Sequence, residues 1–320
     1  MCTNIIFELS MHLDSREFSE IIRYASDDLK QISDSDDEFI DTSMISKGML
    51  VRYRDSLYKK KITLIIDVRN IIGQSDMDSD KLNRKICKRI AKYFDNRFTI
   101  EDFSLSHATI INDFNVGGRN MVSSYLGVLK RIRQVKGYSP TYYDKIPDSK
   151  GLCLKGNSNG VEFIIYDLEH CLSKLSKCPE QYIGILRSEV HLVKQKAISQ
   201  ITGTSDTTLQ IDCIAENAGG IFLEVFSHIV PYGDFYKKKE ACDLVRRKVT
   251  DARLSRLMLK LIALIPEKKS LLLAQKALNS RRVDEVMEEF ARIGVSPVTI
   301  SKRCCNNELL SIYDFIIINT

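Results

Sequence analysis

The sequence changes character near residue 200, and this change limits the folds that the chain can adopt. Before that point, short β-branched runs such as KITLIIDV (61–68) alternate with amphipathic segments such as KLNRKICKRIAKYF (81–94). After Ala197 the strand patterns stop, and apolar residues recur with a helical period between short Gly, Pro or Asp breaks. We therefore predict an α+β domain at residues 1–199 and an all-helical domain at residues 200–320.

The first part is predicted to contain a largely antiparallel sheet with flanking helices. Further strands are expected at 102–116 and 182–192, and a second amphipathic helix at 120–132. The run 151–167 is typical of a β-hairpin, with Asn157-Ser158-Asn159-Gly160 as its turn, because Asn and Gly tolerate positive φ. Strands joined by hairpins, with helices on one face, define an α+β sheet domain.

Bulk properties favour a cytoplasmic, non-membrane protein. The chain has 320 residues, 44% of them hydrophobic, which is enough for two domains with cores. No apolar run reaches the length of a bilayer span, and the start of the chain does not resemble a signal peptide. Nine cysteines are scattered without a C-x-x-C pair, which is typical of reduced thiols. Walker and Gly-x-Ser-x-Gly motifs are also missing.

Charge is distributed unevenly along the chain. The net charge is +5, but residues 233–303 hold 17 Lys/Arg against 9 Asp/Glu and carry +8. Such an excess indicates either a phosphate-binding surface or solvated helix faces. The acidic, Ser-rich segment Asp28–Asp41 is predicted to be an exposed loop.

The stretch IGVSPVTISKR (293–303) resembles the turn and recognition helix of helix-turn-helix proteins. Gly294 would end one helix, and Ser296 would cap the next, with Pro297 at its first position. The resemblance makes Thr299, Lys302 and Arg303 candidate DNA contacts. Phe290 departs from the pattern, because a small residue is usual at that place. The alternative is an ordinary capped pair of helices.

Two predicted strands place polar side chains on one face each. In VEFIIYD, Glu162 and Tyr166 share a face, and in ILRSEVHL, Arg187, Glu189 and His191 do so. A phenol, two carboxylates, a guanidinium and an imidazole can together support nucleophilic attack on a phosphate with a divalent cation. The alternative is a solvent-exposed sheet face with cross-strand ion pairs.

The order of these segments resembles the rolling-circle replication initiators of plasmids and phages. In that family, a strand with Arg-x-Asp precedes a helix, then a Tyr-Asp-Lys-like element and a strand with Arg-x-Glu. Here the corresponding segments are SHATIINDF, NMVSSYLGVLKRI, EFIIYDLE and LRSEVHL, within about residues 60–195. The resemblance implies that a tyrosine attacks a DNA phosphate, nicks one strand and stays joined to its 5′ end, assisted by Mg²⁺ or Mn²⁺.

Carried over by position, Tyr166 is the expected nucleophile, with Glu189 and Arg187 as its catalytic partners. The expected metal ligands are Glu189, Asp113 and His191. Two departures stand out. The Arg-x-Asp position reads His107-Ala108-Thr109, and Leu168 replaces the Lys after Tyr-Asp. Because one acidic ligand is missing, we expect weak metal binding.

The sequence as a whole therefore predicts a DNA replication initiation protein of a phage, plasmid or integrated element. Its sheet domain would act on single-stranded DNA, and its helical domain would bind duplex DNA. Two alternatives remain: a non-catalytic DNA-binding protein on the same scaffold, and a helix-turn-helix transcriptional regulator. The oligomeric state, a homodimer included, stays open.

Overall fold

A computed structural model describes residues 4–25, 29–31, 37–57, 59–73, 78–144, 146–147, 150–173 and 180–318. These residues form a mixed α+β fold with a large antiparallel sheet and a helical C-terminal half, as the sequence predicts. The ten strands of the sheet are β1 (Asn4–Leu13), β2 (Leu29–Gln31), β3 (Glu38–Asp41), β4 (Met49–Asp55), β5 (Lys60–Asp67), β6 (Ser104–Asn115), β7 (Tyr138–Pro140), β8 (Gly151–Gly156), β9 (Val161–Asp167) and β10 (Ile185–Leu192). Their order is β2-β3-β4-β5-β1-β6-β10-β9-β8-β7.

Helices dominate after β10. In chain order, the helices are α1 (Ser15–Ile21), α2 (Val68–Ile72), α3 (Ser79–Tyr93), α4 (Arg119–Leu129), α5 (Leu168–Ser173), α6 (Gln195–Thr202), α7 (Thr207–Ile229), α8 (Lys238–Lys248), α9 (Ala252–Lys268), α10 (Leu271–Leu278), α11 (Val283–Ile293) and α12 (Ile312–Ile318). Two short strands, β11 (Phe235–Tyr236) and β12 (Glu308–Leu309), pair within this part. The sequence patterns did not predict β11 and β12.

By compactness the chain divides into two units. The first unit comprises Thr3–Ile111 and His191–Ile221, and the second comprises Met1–Cys2, Asn112–Val190 and Phe222–Thr320. Both units therefore contain sheet and helix. Compactness does not show which segment folds alone, so the boundary between residues 199 and 200 stays a prediction.

In the first unit, the core lies on one face of the strands. Phe7 and Leu9 of β1 and Leu64 of β5 are fully buried, as are Ile86 and Ile90 of α3. Helix α3 carries its apolar residues at the predicted four-residue spacing. Its start is fixed by Asp78, whose side chain accepts a hydrogen bond from the Lys81 backbone N–H at 3.0 Å.

The acidic segment Asp28–Asp41 differs from the prediction of an exposed loop. Residues 29–31 and 38–41 are the paired strands β2 and β3, while residues 28 and 32–36 lie outside the described residues. Asp41 is only 1% exposed. Its carboxylate accepts hydrogen bonds from the Tyr93 hydroxyl at 2.6 Å and the Ser43 backbone N–H at 2.9 Å, which offset the cost of burying the charge.

In the second unit, the predicted hairpin forms as β8 and β9, with Leu154 opposite Phe163. Gly160 in its turn has a φ of 67°, the left-handed conformation that glycine adopts without strain. Aromatic side chains build the core beneath it. Phe226 contacts Phe114, Phe163, Phe222 and Tyr313 with ring centroids 5.1–6.0 Å apart.

Candidate functional site

The second unit contains a tyrosine–carboxylate pair on strands β9 and β10. The Tyr166 hydroxyl donates a hydrogen bond to Glu189 Oε1 at 2.8 Å. Both side chains are partly exposed, and both lie on the face that strand alternation assigns to them. This distance is within the range at which a general base can take a proton from a nucleophile.

The electrostatic surroundings of Tyr166 keep its hydroxyl protonated. Burial raises the pKa of Tyr166 well above its usual range, and the charge of Glu189 and the hydrogen bond to it raise it further. Arg187 acts in the opposite direction. A free phenolate is therefore disfavoured, so any attack by Tyr166 would need its proton to be removed as the new bond forms.

Arg187 and Asp113, which lie in the same unit as Tyr166, form an ion pair with two hydrogen bonds. Arg187 Nε donates to Asp113 Oδ1 at 2.7 Å, and Nη2 donates to Oδ2 at 2.8 Å. Burial opposes the Arg187 charge, but Asp113 outweighs it, and the pKa of Arg187 is raised. Both oxygens of Asp113 thus already have a strong cationic partner.

A second tyrosine–carboxylate pair occurs nearby in the chain. The Tyr143 hydroxyl donates to Glu162 Oε2, and Lys155 pairs with Glu162 at 3.4 Å. Burial and Glu162 raise the pKa of Tyr143. Sequence alternation placed Glu162 on the face of Tyr166, but it could not pair Glu162 with Tyr143, because Tyr143 lies outside the strands and its position depends on the turn after β7.

His191 and His107 meet in the first unit. His107 Nε2 lies 3.1 Å from both His191 Nδ1 and Thr109 Oγ1, and Thr109 Oγ1 lies 3.3 Å from His191 Nδ1. The rings meet edge to face, with centroids 5.3 Å apart. The sequence alone did not pair His107 or Thr109 with His191.

The three expected metal ligands, Glu189, Asp113 and His191, all interact with other protein side chains. Asp113 is paired with Arg187, and Glu189 accepts a hydrogen bond from the Tyr166 hydroxyl. Within the described ranges, no group of three or more His, Cys, Asp or Glu side chains is arranged to hold a metal ion. Oxygen-ligated Mg²⁺ or Ca²⁺ sites use carboxylates that are free to coordinate, so Asp113 would first have to release Arg187.

The predicted recognition helix after Gly294 does not form. Helix α11 ends at Gly294, whose φ is 71°, as the sequence predicts. Val295 and Ile300 instead form isolated bridges, with a bend at Pro297 and Val298 between them. The Ser296 N–H donates to Asp234 O at 2.8 Å, and the Ile300 N–H donates to Tyr236 O at 2.8 Å. Ser296 Oγ accepts from the Val298 N–H at 3.3 Å, which caps a turn instead of a helix.

Burial explains this difference and removes one predicted DNA contact. Val295, Val298 and Ile300 are all buried, and Val295 and Ile300 bridge to Asp234 and Lys237. Thr299 is only 2% exposed, so its side chain is not available to a base edge. Lys302 and Arg303 are exposed.

Comparisons with known proteins show a likeness to solved structures. No family model matches the chain, and no curated protein matches it. Among solved structures, the chain is similar to the structure of a rolling circle replication initiator protein from Geobacillus stearothermophilus. The TM-score is 0.35 and the identity 10%, over 71% of this chain and 84% of that chain. A likeness this low does not establish a common fold or family.

By its fold, the described part of the chain is an α+β protein. It has a ten-stranded antiparallel sheet, and helices make up most of its second half. Over the part of the chain that the structure describes, no helix is long and apolar enough to cross a membrane.

Proposed function

We propose that this protein initiates DNA replication by nicking one DNA strand through Tyr166. One observation carries the proposal: the Tyr166 hydroxyl donates to Glu189 Oε1 at 2.8 Å, the arrangement of a nucleophile and its base. The motif resemblance assigns the same two residues to these roles. DNA is thus the proposed partner, and the enzyme class is a DNA-nicking strand transferase.

In the proposed reaction, Tyr166 Oη attacks a phosphorus of the DNA backbone while Glu189 Oε1 takes the hydroxyl proton. The new Tyr166 O–P bond forms as the P–O3′ bond breaks, and the released 3′ oxygen takes up a proton. The strand's 5′ phosphate stays on the tyrosine as a phosphodiester. The raised pKa of Tyr166 makes this coupled proton transfer necessary, because the phenol does not ionise beforehand near neutral pH.

A divalent ion, Mg²⁺ or Mn²⁺, remains part of this proposal through the motif resemblance. It would neutralise charge on the attacked phosphate. Glu189, Asp113 and His191 are its proposed ligands, although the Arg187–Asp113 pair competes with the ion for Asp113. We therefore expect binding too weak to retain metal through purification.

Duplex DNA is the proposed partner of the basic C-terminal region. Residues 233–303 carry an excess of eight positive charges. Lys302 and Arg303 are exposed near its end and are proposed phosphate contacts. Without a recognition helix, this contact would be made to the DNA backbone and would carry little sequence information.

A non-catalytic DNA-binding protein on the same scaffold is the second candidate. Two observations favour it. The raised pKa of Tyr166 keeps its hydroxyl protonated, and the Asp113 carboxylate is paired with Arg187. A helix-turn-helix regulator loses its support, because no helix follows Gly294 before Ile312.

The test is formation of a covalent protein–DNA adduct with a library of single-stranded oligonucleotides and Mn²⁺. The wild-type protein should form an adduct that survives denaturing electrophoresis, and Tyr166→Phe should form none. Tyr143→Phe is the matched control, because Tyr143 also donates its hydroxyl to a carboxylate, that of Glu162. Adduct in Tyr166→Phe, or none in the folded wild-type protein, would exclude Tyr166 as the nucleophile.

A further inference from the structure

Strands β4, β5 and β1 of the first unit place cations and hydroxyls on one sheet face. Arg52 lies opposite Thr63, Arg54 lies opposite Lys61, and Thr63 lies opposite Ser10. We call these five residues the cationic stripe. The opposite face of the same strands is the buried core, so the stripe lies on the side of the sheet away from that core.

The charges of the cationic stripe are crowded. Burial lowers the pKa of Lys61, and the nearby charges of Arg54, Arg52 and Lys59 lower it further, against the opposing effect of Glu8. Arg54 pairs with Glu38. The carboxylates of Glu8 and Glu38 offset part of this positive charge.

Arg52 has a hydrogen-bonding group without a partner. Its Nε is buried from solvent and makes no hydrogen bond. A buried donor without a partner destabilises the folded state, and more so when it belongs to a charged group. Arg52 Nε is therefore a donor that the oxygen of a bound anion can satisfy.

Hydroxyl groups line the same face next to these cations. Ser10 Oγ lies 3.2 Å from Thr63 Oγ1 and 2.8 Å from Ser106 Oγ. Ser106 in turn donates to Glu8 O at 3.0 Å. Ser10 and Thr63 are only 7% and 4% exposed, so their hydroxyls bind one another within the sheet. The phosphate contacts therefore fall to Arg52, Arg54 and Lys61.

We propose that the cationic stripe binds the phosphate backbone of single-stranded DNA. The choice of DNA as the polyanion rests on the proposed function. The stripe consists of strand residues on a sheet face, which suits one backbone lying along it better than insertion into a duplex groove. None of its five members is aromatic, so it holds the strand by its phosphates, independent of base sequence.

Salt dependence of binding tests the stripe. Fluorescence anisotropy with a labelled 20-nucleotide single strand would compare the full-length protein with Arg52→Gln/Lys61→Gln between 50 and 300 mM NaCl. Each phosphate contact on a single strand contributes about 0.7 to the slope of log affinity against log salt, so the slope should fall by about 1.4. Affinity at 100 mM salt should fall about tenfold.

The matched control is Arg84→Gln/Lys88→Gln on helix α3. It removes the same two residue types from exposed positions of the same unit, away from the strand positions of the stripe. Its slope should stay within about 0.3 of wild type. An equal loss in both double variants, or an unchanged slope in Arg52→Gln/Lys61→Gln, would overturn the proposal. So would weakening confined to a duplex of the same sequence.

Two further variants keep the test decisive if the double variant does not fold. Lys61→Gln alone removes one of the crowded cations, and its slope should fall by about 0.7. Arg52→Lys keeps the charge, and its slope should not change. An unchanged slope in folded Lys61→Gln would overturn the proposal by itself.

All binding measurements use the Tyr166→Phe background, in which the proposed nicking cannot occur. The two proposals therefore fail separately. A reduced slope without any wild-type nicking would leave the stripe standing and remove the proposed reaction. Nicking by the wild-type protein, with an unchanged salt slope in the stripe variants, would leave the proposed reaction standing and remove the stripe.

Discussion

The β9–β10 region and the segment Gly294–Arg303 differ in the exposure of their polar side chains. On β9 and β10, Tyr166 and Glu189 are partly exposed and bonded to each other, while the strands' apolar residues fill the core. In the C-terminal segment, Ser296 and Thr299 are buried, and the exposed cations Lys302 and Arg303 follow them. The proposed reaction uses the first region, whereas the buried polar groups of the second mainly support the fold. The predictions below test this contrast.

The largest effect is expected from Glu189→Gln. The amide can still accept a hydrogen bond from Tyr166 but cannot take its proton, so the rate of adduct formation should fall about 10²–10⁴-fold. Single-turnover kinetics with an oligonucleotide substrate measures this rate. Glu162→Gln is the matched control, because Glu162 accepts the hydroxyl of Tyr143 instead. A similar loss in both variants would mean that neither carboxylate acts as a specific base.

Ile300→Ala should cause the largest loss of stability in the C-terminal segment. Ile300 is 3% exposed, and truncating such a side chain leaves a cavity that costs about 2–5 kcal/mol. Urea unfolding followed by circular dichroism measures the free energy of unfolding. Leu310→Ala, at a side chain that is 54% exposed, is the control and should cost less than about 1 kcal/mol. If Ile300→Ala cost no more than Leu310→Ala, the segment would not be packed as described.

A smaller loss is expected from Asp113→Asn, which removes the partner of Arg187. The side chains of Arg187 and Asp113 are 25% and 33% exposed, so water screens part of the interaction. We expect a loss of about 1–2 kcal/mol in the free energy of unfolding. Arg187→Gln in addition should recover part of it, since no charge is then left unpaired.

The Asp113→Asn and Arg187→Gln variants and their combination form a double-mutant cycle. The same cycle on the surface pair Arg246–Asp243 is the comparison. Its side chains are 60% and 40% exposed, and its removal should cost less than about 0.5 kcal/mol. Coupling in the Arg187–Asp113 cycle no larger than in this surface pair would contradict a structural role for the inner pair.

The smallest effect on stability is expected from Lys302→Ala/Arg303→Ala. Both residues are exposed, so the free energy of unfolding should change by less than about 0.5 kcal/mol. If both contact duplex phosphates, the salt slope of duplex binding should fall by about two units. Anisotropy with a labelled duplex measures it. An unchanged slope would remove these two residues from the proposed DNA contacts.

The contrast also explains how far the sequence alone could predict the molecule. Strand alternation placed Tyr166 and Glu189 on polar faces correctly, because the side-chain period of a strand persists whatever packs against it. The prediction of a recognition helix was wrong, because the backbone N–H groups of Ser296 and Ile300 bond to Asp234 and Tyr236, some sixty residues earlier in the chain. No local pattern contains that information.

Side-chain pairs between distant segments were equally out of reach. Tyr143 with Glu162 and Arg187 with Asp113 depend on loop paths and strand neighbours. Alternation fixes which face a residue occupies, but it does not fix its partner. The same limit kept Arg52, Arg54 and Lys61 out of the candidate residues. Nothing in β4 or β5 alone shows that Arg54 lies opposite Lys61 and that Arg52 lies two residues along on the same face.

The most direct measurement of the central claim is mass spectrometry of the protein after incubation with single-stranded DNA and Mn²⁺. Nuclease and protease digestion would leave a short nucleotide on the peptide that carries the nucleophile. Our account predicts that this nucleotide is joined through a phosphodiester to Tyr166. A nucleotide on Tyr142 or Tyr143 instead, or none on any tyrosine of a folded protein that binds the DNA, would contradict it.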